Sequence, residues 1–410
     1  MAEAVDILAG NDAGRFIKPG PHQYPSQWNW DAAFNVIGLA HVDPARARLE
    51  VESILEGQWD DGMVPHIVFH QPGVDYFPGP AVWGKAPGMP SVPTSGITQP
   101  PLLSSAVSRL HRLAPSRPFL EQVLDPIERW HRWFHQHRVT GGLVEILHPW
   151  ESGMDNSPRW DRGLLELDQT LLPAGRRDHV HVPAEQRPTD RDYGAYLSIV
   201  DSLRDVGYRP ERGQATFHVG DVFLTGILSR AELDLARLMM SIGDSSISCM
   251  NRQQELLRGL ESAWDEQRGL FVDRGADPVP TIGGLLAAYG LPGHTSNHNL
   301  ADCVQDPGSF GPDRVYPWYP TSVSRRSPFF EPRRYWRGPV WVNINWLTAE
   351  ALEWAGHDWR AEELRGSTLE LVAENGFWEY YDPRTGEGLG SDRFSWTAAL
   401  TIDLLSRGTV

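Results

Sequence analysis

The sequence is poor in features that mark several large protein classes. Its 410 residues contain two cysteines, Cys249 and Cys303, too few for a disulfide framework or a cysteine-based zinc site. It has no apolar run of about 18 residues, so no membrane-spanning helix is predicted. The N-terminus lacks the basic and apolar regions of a signal peptide. These absences predict a cytoplasmic protein with no membrane partner.

Basic residues are also scarce: 37 Lys and Arg face 53 Asp and Glu, which gives a formal net charge of −16. Such a charge disfavours nucleic acids and anionic membranes as partners. The sequence has no Gly-rich phosphate loop, no nucleophile motif and no histidine spacing typical of zinc enzymes. We therefore expect a small-molecule substrate and no metal site; the sequence does not indicate an oligomeric state.

Tryptophan, in contrast, is abundant, with 17 residues. Helical apolar patterns alternate with loops rich in Gly, Pro and aromatic residues, which predicts an all-α toroid of about ten to twelve helices with its long loops at one end. Short hairpins are expected at 269–273 and 376–382. The predicted helices cover 30–41, 44–57, 101–113, 118–137, 188–204, 217–241, 249–264, 283–289, 312–319, 336–354, 359–372 and 395–406.

Two stretches have no clear period. Residues of about 60–100 form a predicted lid or binding loop, because long irregular segments in compact proteins are usually functional or disordered. Residues of about 165–188 are polar and irregular. We expect both to be parts of a single domain that spans residues 1–410.

The stretch 148–161 combines three carboxylates, Glu151, Asp155 and Asp161, with Trp150 and Trp160. Aromatic faces cover the C–H faces of a sugar ring, and carboxylates bind hydroxyls or transfer protons to a glycosidic oxygen. The composition therefore indicates a sugar pocket. The alternative is a surface loop with solvated acids and two anchoring indoles.

Similar mixtures occur at 24–34, 333–346 and 376–396. In the last of these, Glu379 lies among aromatic residues that could exclude water, although a solvated hairpin glutamate is the simpler interpretation. Glycoside hydrolysis needs one protonated carboxyl and one carboxylate. Asp155 and Glu379 could meet that need from distant parts of the chain.

Five motifs together resemble those of glycoside hydrolase family 63, and the layout is most similar to the bacterial mannosylglycerate and glucosylglycerate hydrolases. The match covers nearly the whole chain in the same order. It implies an (α/α)6 barrel, hydrolysis with inversion at the anomeric carbon, and no cofactor. The motifs are Gln27–Phe34, Pro149–Trp160, Tyr335–Trp341, Glu379–Pro383 and Phe394–Ala398.

The resemblance also implies a role for individual residues. It places the general acid on Asp155 and the general base on Glu379. The residues implied for the sugar are Trp28, Trp30, Asp31, Gln99, Trp150, Gly153, Trp336, Arg337 and Trp341. Those implied for a glycerate carboxylate are Tyr24, Tyr76, Arg187 and Tyr335.

Two features depart from the family pattern. The start of the chain is short, so the first barrel helix is expected to be incomplete. Arg393 stands where relatives are expected to carry a neutral amide. A cation at that place would bind a carboxylate more tightly or indicate another aglycone, the non-sugar part of the substrate.

The sequence thus leads to three functional hypotheses. The first is an inverting α-glycoside hydrolase that cleaves glucosylglycerate or mannosylglycerate. The second is an α-glucosidase that acts on a neutral disaccharide or oligosaccharide. The third is of another class, a non-hydrolytic sugar-binding toroid or a sugar epimerase. Glucose and mannose are not distinguished, since their discrimination rests on hydroxyl contacts at one carbon.

Overall fold

Helices dominate the computed structural model, which describes residues 1–407 except 74, 168–174, 212, 292 and 295. Most of the predicted irregular segment 165–188 is described, but residues 168–174 of it lie outside the described part, as does residue 74 of the predicted loop 60–100. The helices are α1 (Ala2–Gly10), α2 (Asn29–Val42), α3 (Pro44–Leu55), α4 (Pro80–Trp83), α5 (Leu103–Leu113), α6 (Arg117–His137), α7 (Asp161–Leu165), α8 (Asp190–Asp205), α9 (Val222–Ile242), α10 (Ile247–Ala263), α11 (Ile282–Leu286), α12 (Ser296–Cys303), α13 (Val342–Trp354), α14 (Asp358–Asn375) and α15 (Ser395–Ser406).

Six helical segments contact one another in succession and form an inner layer. Helix α2 contacts α5, α5 contacts α9, and α9 contacts α11 with the 3₁₀ turn Ala287–Gly290 that extends it. That turn contacts α13, α13 contacts α15, and α15 contacts α2 again. Helices α2 and α15 are buried almost all round, and apolar residues accordingly occupy most of their positions.

A second set of helices covers the inner layer from outside. Helix α3 packs on α2, α6 and α10 pack on α9, α12 packs on α11 and α13, α14 packs on α13, and α1 packs on α15. Helix α1 buries Ala4, Ile7 and Leu8. Helices α5 and α6 have one buried face and one exposed face, as expected for helices at the surface of a core.

Local sequence signals explain where several helices begin. The carboxylate of Asp43 accepts a hydrogen bond from the backbone N–H of Arg46, and Pro44 occupies the first turn of α3. Thr189 and Asp192 form a reciprocal capping box at the start of α8. Asp221 caps α9 by accepting from the backbone N–H of Leu224. These caps satisfy N–H groups that have no partner within the helix.

The strands are short, and every pairing described is antiparallel. Strand β1 pairs with β2, β4 lies between β3 and β5, β6 pairs with β7, and β8 pairs with β9. The last two pairs confirm the predicted hairpins. The strands are β1 (Gln27–Trp28), β2 (Ile67–Val68), β3 (Val139–Thr140), β4 (Leu143–Ile146), β5 (Val219–Asp221), β6 (Trp264–Asp265), β7 (Leu270–Phe271), β8 (Trp378–Tyr381) and β9 (Gly388–Asp392).

Some helix predictions were wrong, and the reasons are local. No helix occurs at 312–319, because prolines there lack N–H groups and the carboxylate of Asp313 accepts from the N–H groups of Val315 and Tyr316 in a turn. The helix predicted at 217–241 begins only at 222, after strand β5. The helix predicted at 336–354 begins at 342, after Gly338 and Pro339. Helices α4, α7 and α12 were not predicted.

Two inner helices approach each other very closely at Gly38 of α2. A Cβ atom added at this glycine would lie 2.3 Å from the carbonyl oxygen of Ala399 in α15. A side chain would therefore push the two backbones apart. Within the described ranges, no helix is long and apolar enough to cross a membrane.

Candidate active site

A cavity of about 740 Å³, counting its open mouth, lies at the end of the inner layer where its helices begin. Trp30 and Asp31 are in the first turn of α2, Gln99 lies just before α5, Trp336 precedes α13, and Trp396 is in the first turn of α15. The long loops that precede inner helices therefore supply much of the cavity wall.

Most residues predicted for the site line this cavity together. Loop 60–100 contributes Tyr76 and Gln99, and segment 165–188 contributes Arg187. The predicted residues in the lining are Tyr24, Trp28, Trp30, Asp31, Tyr76, Gln99, Trp150, Gly153, Asp155, Arg187, Tyr335, Trp336 and Glu379.

Aromatic rings form a rigid wall on one side of the cavity. Trp336 stacks on Trp341 with their ring centroids 3.7 Å apart and their planes nearly parallel, and Trp341 stacks on Tyr380 at 4.5 Å. Gly153 has a positive φ of 72°, and a Cβ there would lie 2.8 Å from the ring of Trp30. Glycine at this position thus lets the chain pass against the indole.

Asp155 lies on a segment that is held by buried contacts. Just before it, Glu151 pairs with Arg138 at 2.9 and 3.0 Å and accepts from the N–H of Leu147 at 2.6 Å. The hydroxyl of Tyr196 donates to the carbonyl oxygen of Asp155 at 3.0 Å. These contacts fix the backbone from which the Asp155 carboxyl reaches the cavity.

The carboxyl of Asp155 has an unusual acidity. Burial raises its pKa to about 7, the positive charge of Arg187 opposes that rise, and the negative charge of Glu379 adds to it. The hydroxyl of Tyr335 is hydrogen-bonded to the same carboxyl. A group with this pKa can give or take a proton near neutral pH.

Glu379 lies on β8, and its side chain is 1% exposed. The pairing register of β8 with β9 shifts between Trp378 and Tyr380, so the hairpin is irregular at this residue. The irregularity places the N–H of Ser391 3.0 Å from Oε2 of Glu379. The local backbone therefore orients the carboxylate as well as carrying it.

Two further groups hold the Glu379 carboxylate. The Tyr24 hydroxyl donates to Oε1 at 2.8 Å, and Arg187 donates to Oε1 and Oε2 at 3.3 and 3.2 Å. Arg187 also donates to the Tyr24 oxygen at 2.7 Å. Burial would lower the pKa of Arg187, but Glu379 and nearby tyrosines raise it above its usual value. The guanidinium thus brings its positive charge directly against Glu379.

Asp31 is a third carboxyl in the cavity and is 4% exposed. Burial raises its pKa well above the usual range, and the negative charge of Glu379 adds to the effect. A buried carboxyl in this environment can donate a hydrogen bond to a ligand hydroxyl or accept one from it.

Three residues singled out in the sequence do not line the described cavity. Arg337 pairs with Asp161 at 2.6 and 2.8 Å, and Trp341 lies behind Trp336. Arg393 is exposed, with its guanidinium beside Gly10 at the end of α1. The expectation that Arg393 adds a cation near the glycerate end is therefore wrong, because its side chain points to a helix end on the outside.

Several lining residues were missed. Trp396 belongs to a quoted motif but was not assigned to the site. His66 stacks on Trp150 with centroids 6.1 Å apart, and burial lowers its pKa well below the usual value. No local sequence pattern distinguishes it from an ordinary loop histidine. The missed lining residues are Pro19, Gln23, His66, Asp178, Pro188, Tyr193, Phe394 and Trp396.

The three carboxylates of the stretch 148–161 have different surroundings. Glu151 and Asp161 each pair with an arginine, whereas Asp155 alone of the three lines the cavity. Asp155 and Glu379, one with a pKa near 7 and one paired with a cation, form an arrangement suited to acid and base chemistry. Within the described ranges, no group of His, Cys, Asp or Glu is arranged to hold a metal ion.

Comparison with known proteins gives consistent likenesses. Residues 24–397 match the model of a family described as the mannosylglycerate hydrolase MGH1-like glycoside hydrolase domain. The chain is 40% identical to the mannosylglycerate hydrolase of Thermus thermophilus, over 98% of this chain and 99% of that protein. It is 37% identical to the glucosylglycerate hydrolase of Mycolicibacterium hassiacum, over 98% and 97%.

A solved structure is similar over the same length. The crystal structure of a GH63 mannosylglycerate hydrolase from Thermus thermophilus, in complex with Tris and D-glycerate, matches with a TM-score of 0.92 and 38% identity. The match covers 98% of this chain and 99% of that chain. These likenesses therefore extend over nearly the whole of each protein.

Proposed function

This chain belongs to the mannosylglycerate hydrolase MGH1-like group of glycoside hydrolase family 63, and from that premise we propose that it hydrolyses an α-glycoside of glycerate. The products are glycerate and a free hexose, glucose or mannose. Relatives named for each of the two sugars match with nearly equal identity, so the identity of the hexose is left to the assay below.

The reaction we propose is a single displacement with inversion. Glu379 takes a proton from a water molecule, whose oxygen forms a bond to the anomeric carbon. The bond from that carbon to the glycerate oxygen breaks at the same time, and Asp155 gives its proton to the departing oxygen. Solvent then returns both carboxyl groups to their starting protonation states.

The observation that carries this proposal is the contrast between the two carboxyl groups. Burial raises the pKa of Asp155 to about 7, so a large fraction of this group is protonated at neutral pH. Glu379, in contrast, accepts two hydrogen bonds from the guanidinium of Arg187. General acid and base catalysis needs two carboxyls in different environments, one to give a proton and one to take it.

The residues implied for substrate binding fall into two proposed subsites. Tyr24, Tyr76, Arg187 and Tyr335 would bind the glycerate carboxylate, and Arg337 and Trp341 would support the sugar subsite from behind. The residues proposed to contact the sugar are Trp28, Trp30, Asp31, Gln99, Trp150, Gly153 and Trp336.

We also propose that the two helical layers form an (α/α)6 barrel and a single domain. The succession of inner-layer contacts, which returns to α2, supports this. A cytoplasmic location is part of the same proposal, and the free thiols of Cys249 and Cys303 fit a reducing compartment.

The proposed function is tested by comparing kcat/KM for four α-glycosides: glucosylglycerate, mannosylglycerate, glucosylglycerol and trehalose. Glucosylglycerol has a hydroxymethyl group in place of the carboxylate of glucosylglycerate, so the comparison isolates the contribution of that charge. We expect one glycerate glycoside to be the best substrate. Higher activity on a neutral glycoside would favour the α-glucosidase hypothesis, and binding without turnover would favour a sugar-binding protein.

The pKa of Asp155 also predicts a pH dependence. The acid acts in its protonated form, so kcat/KM should be lost as the pH rises through about 7. Above that value it should decline about tenfold per pH unit. Initial rates measured in a series of buffers of different pH and constant ionic strength would show this decline of kcat/KM. A constant kcat/KM well above pH 7 would contradict the assignment of Asp155 as the acid.

A further inference from the structure

The hydrogen-bonding positions of the Glu379 carboxylate are all occupied in the described structure. A carboxylate has about four lone-pair positions, and four hydrogen bonds from three residues occupy them: Tyr24 and Arg187 donate to Oε1, and Arg187 and Ser391 donate to Oε2. A general base must accept a proton from its water through one of these positions. At least one donor therefore has to leave before Glu379 can act.

Arg187 is the donor best suited to leave. The Ser391 N–H belongs to the backbone of the β8–β9 hairpin, whereas the Arg187 contacts are both longer than 3.1 Å. The guanidinium is buried, and its Nε has no hydrogen-bond partner among the described residues. A second carboxylate that bound Nε and one Nη together would satisfy this donor in the bidentate geometry that arginine favours.

We propose that the carboxylate of the substrate draws Arg187 away from Glu379 and so frees the general base for water. This inference rests on the proposed function and adds a specificity mechanism to it. When the aglycone has no carboxylate, Arg187 stays on Glu379 and the water position stays blocked. A substrate with a neutral aglycone should then have a lower kcat than one with an anionic aglycone. If Arg187 served only to bind the carboxylate, the neutral substrate would mainly have a higher KM.

Glycosyl fluorides test this coupling because fluoride leaves the aglycone subsite empty. The wild-type protein should hydrolyse α-glucosyl or α-mannosyl fluoride slowly alone, and D-glycerate added in solution should raise kcat roughly 5- to 150-fold, the usual range of coupling between two ligands. Glycerol, which has no carboxylate, should not stimulate. Inhibition by glycerate, or no effect, would overturn the coupling. Failure to cleave any fluoride or glycerate glycoside would instead overturn the proposed function itself.

Substitution of Arg187 gives an independent check. Arg187→Ala should abolish stimulation by glycerate and should hydrolyse the fluoride alone faster than wild type does without glycerate. Stimulation that survived in Arg187→Ala would contradict the coupling. Arg177→Ala is the matched control, because Arg177 lies in the same segment but is exposed, pairs with Asp75 and does not line the cavity. It should retain the stimulation. The wild-type experiment decides the proposal even if Arg187→Ala does not fold.

Discussion

Glu379→Gln is expected to lower kcat for the glycerate glycoside by on the order of 10² to 10⁴, with the fold retained. Glutamine keeps the size of the side chain and can still accept from the Ser391 N–H, but it cannot take a proton from water. Steady-state kinetics would measure the loss, and circular dichroism would confirm folding. Near-normal turnover would remove Glu379 from the mechanism.

Glu50→Gln is a suitable control for that substitution. Glu50 is also fully buried, accepts from the N–H of Ile17 and from Gln27, and does not line the cavity. Burial raises its pKa to about 7 although its ion pair with Arg46 opposes the rise, so a large fraction of the group is already neutral near pH 7. Its kcat should remain close to that of the wild type. A comparable loss in both variants would indicate a general effect of removing a buried acid.

Asp155→Asn is expected to lower kcat for the glycerate glycoside by a similar factor, on the order of 10² to 10⁴. The loss should be much smaller with a glycosyl fluoride, because fluoride leaves with little help from an acid. When the fluoride is assayed with D-glycerate present, Glu379→Gln should lose activity on both substrates, since water must be activated in either case. The ratio of the two losses therefore distinguishes the acid from the base.

Asp161→Asn provides the control within the same stretch, 148–161. Its carboxylate pairs with Arg337 and does not line the cavity. We expect its kcat to stay within a few-fold of the wild type, the usual result for a charge away from the reacting atoms. Equal losses for Asp155→Asn on the fluoride and on the glycerate glycoside would contradict its role as the acid.

Much of the helical layout could be predicted from local signals. Helices α3 and α15 match their predictions closely, because a cap, a proline or an apolar pattern marks their ends. The predictions failed where local side-chain contacts compete with the helix, as in the Asp313 turn, or where residues pair as a strand, as in β5. Such competition depends on geometry that apolar periodicity does not report.

The aromatic part of the site was also predictable, since clusters such as Trp28 with Trp30 are rare outside pockets and cores. The lining residues His66 and Tyr193 were missed because their position depends on tertiary packing of loops. The contact between Arg187 and Glu379 joins residues 192 positions apart, and no local pattern could have predicted it. Arg337 and Trp341 were predicted from their motif, although their side chains stabilise neighbours of the cavity wall.

Proton NMR of the reaction with glucosylglycerate and mannosylglycerate tests the central proposal most directly. The anomeric signal of the first sugar released reports the substrate, the hydrolysis and the stereochemistry in one spectrum. We expect one of the two glycosides to give the β-anomer first, with the α-anomer appearing only by mutarotation. Initial release of the α-anomer would contradict inversion, and two intact glycosides would contradict the proposed function.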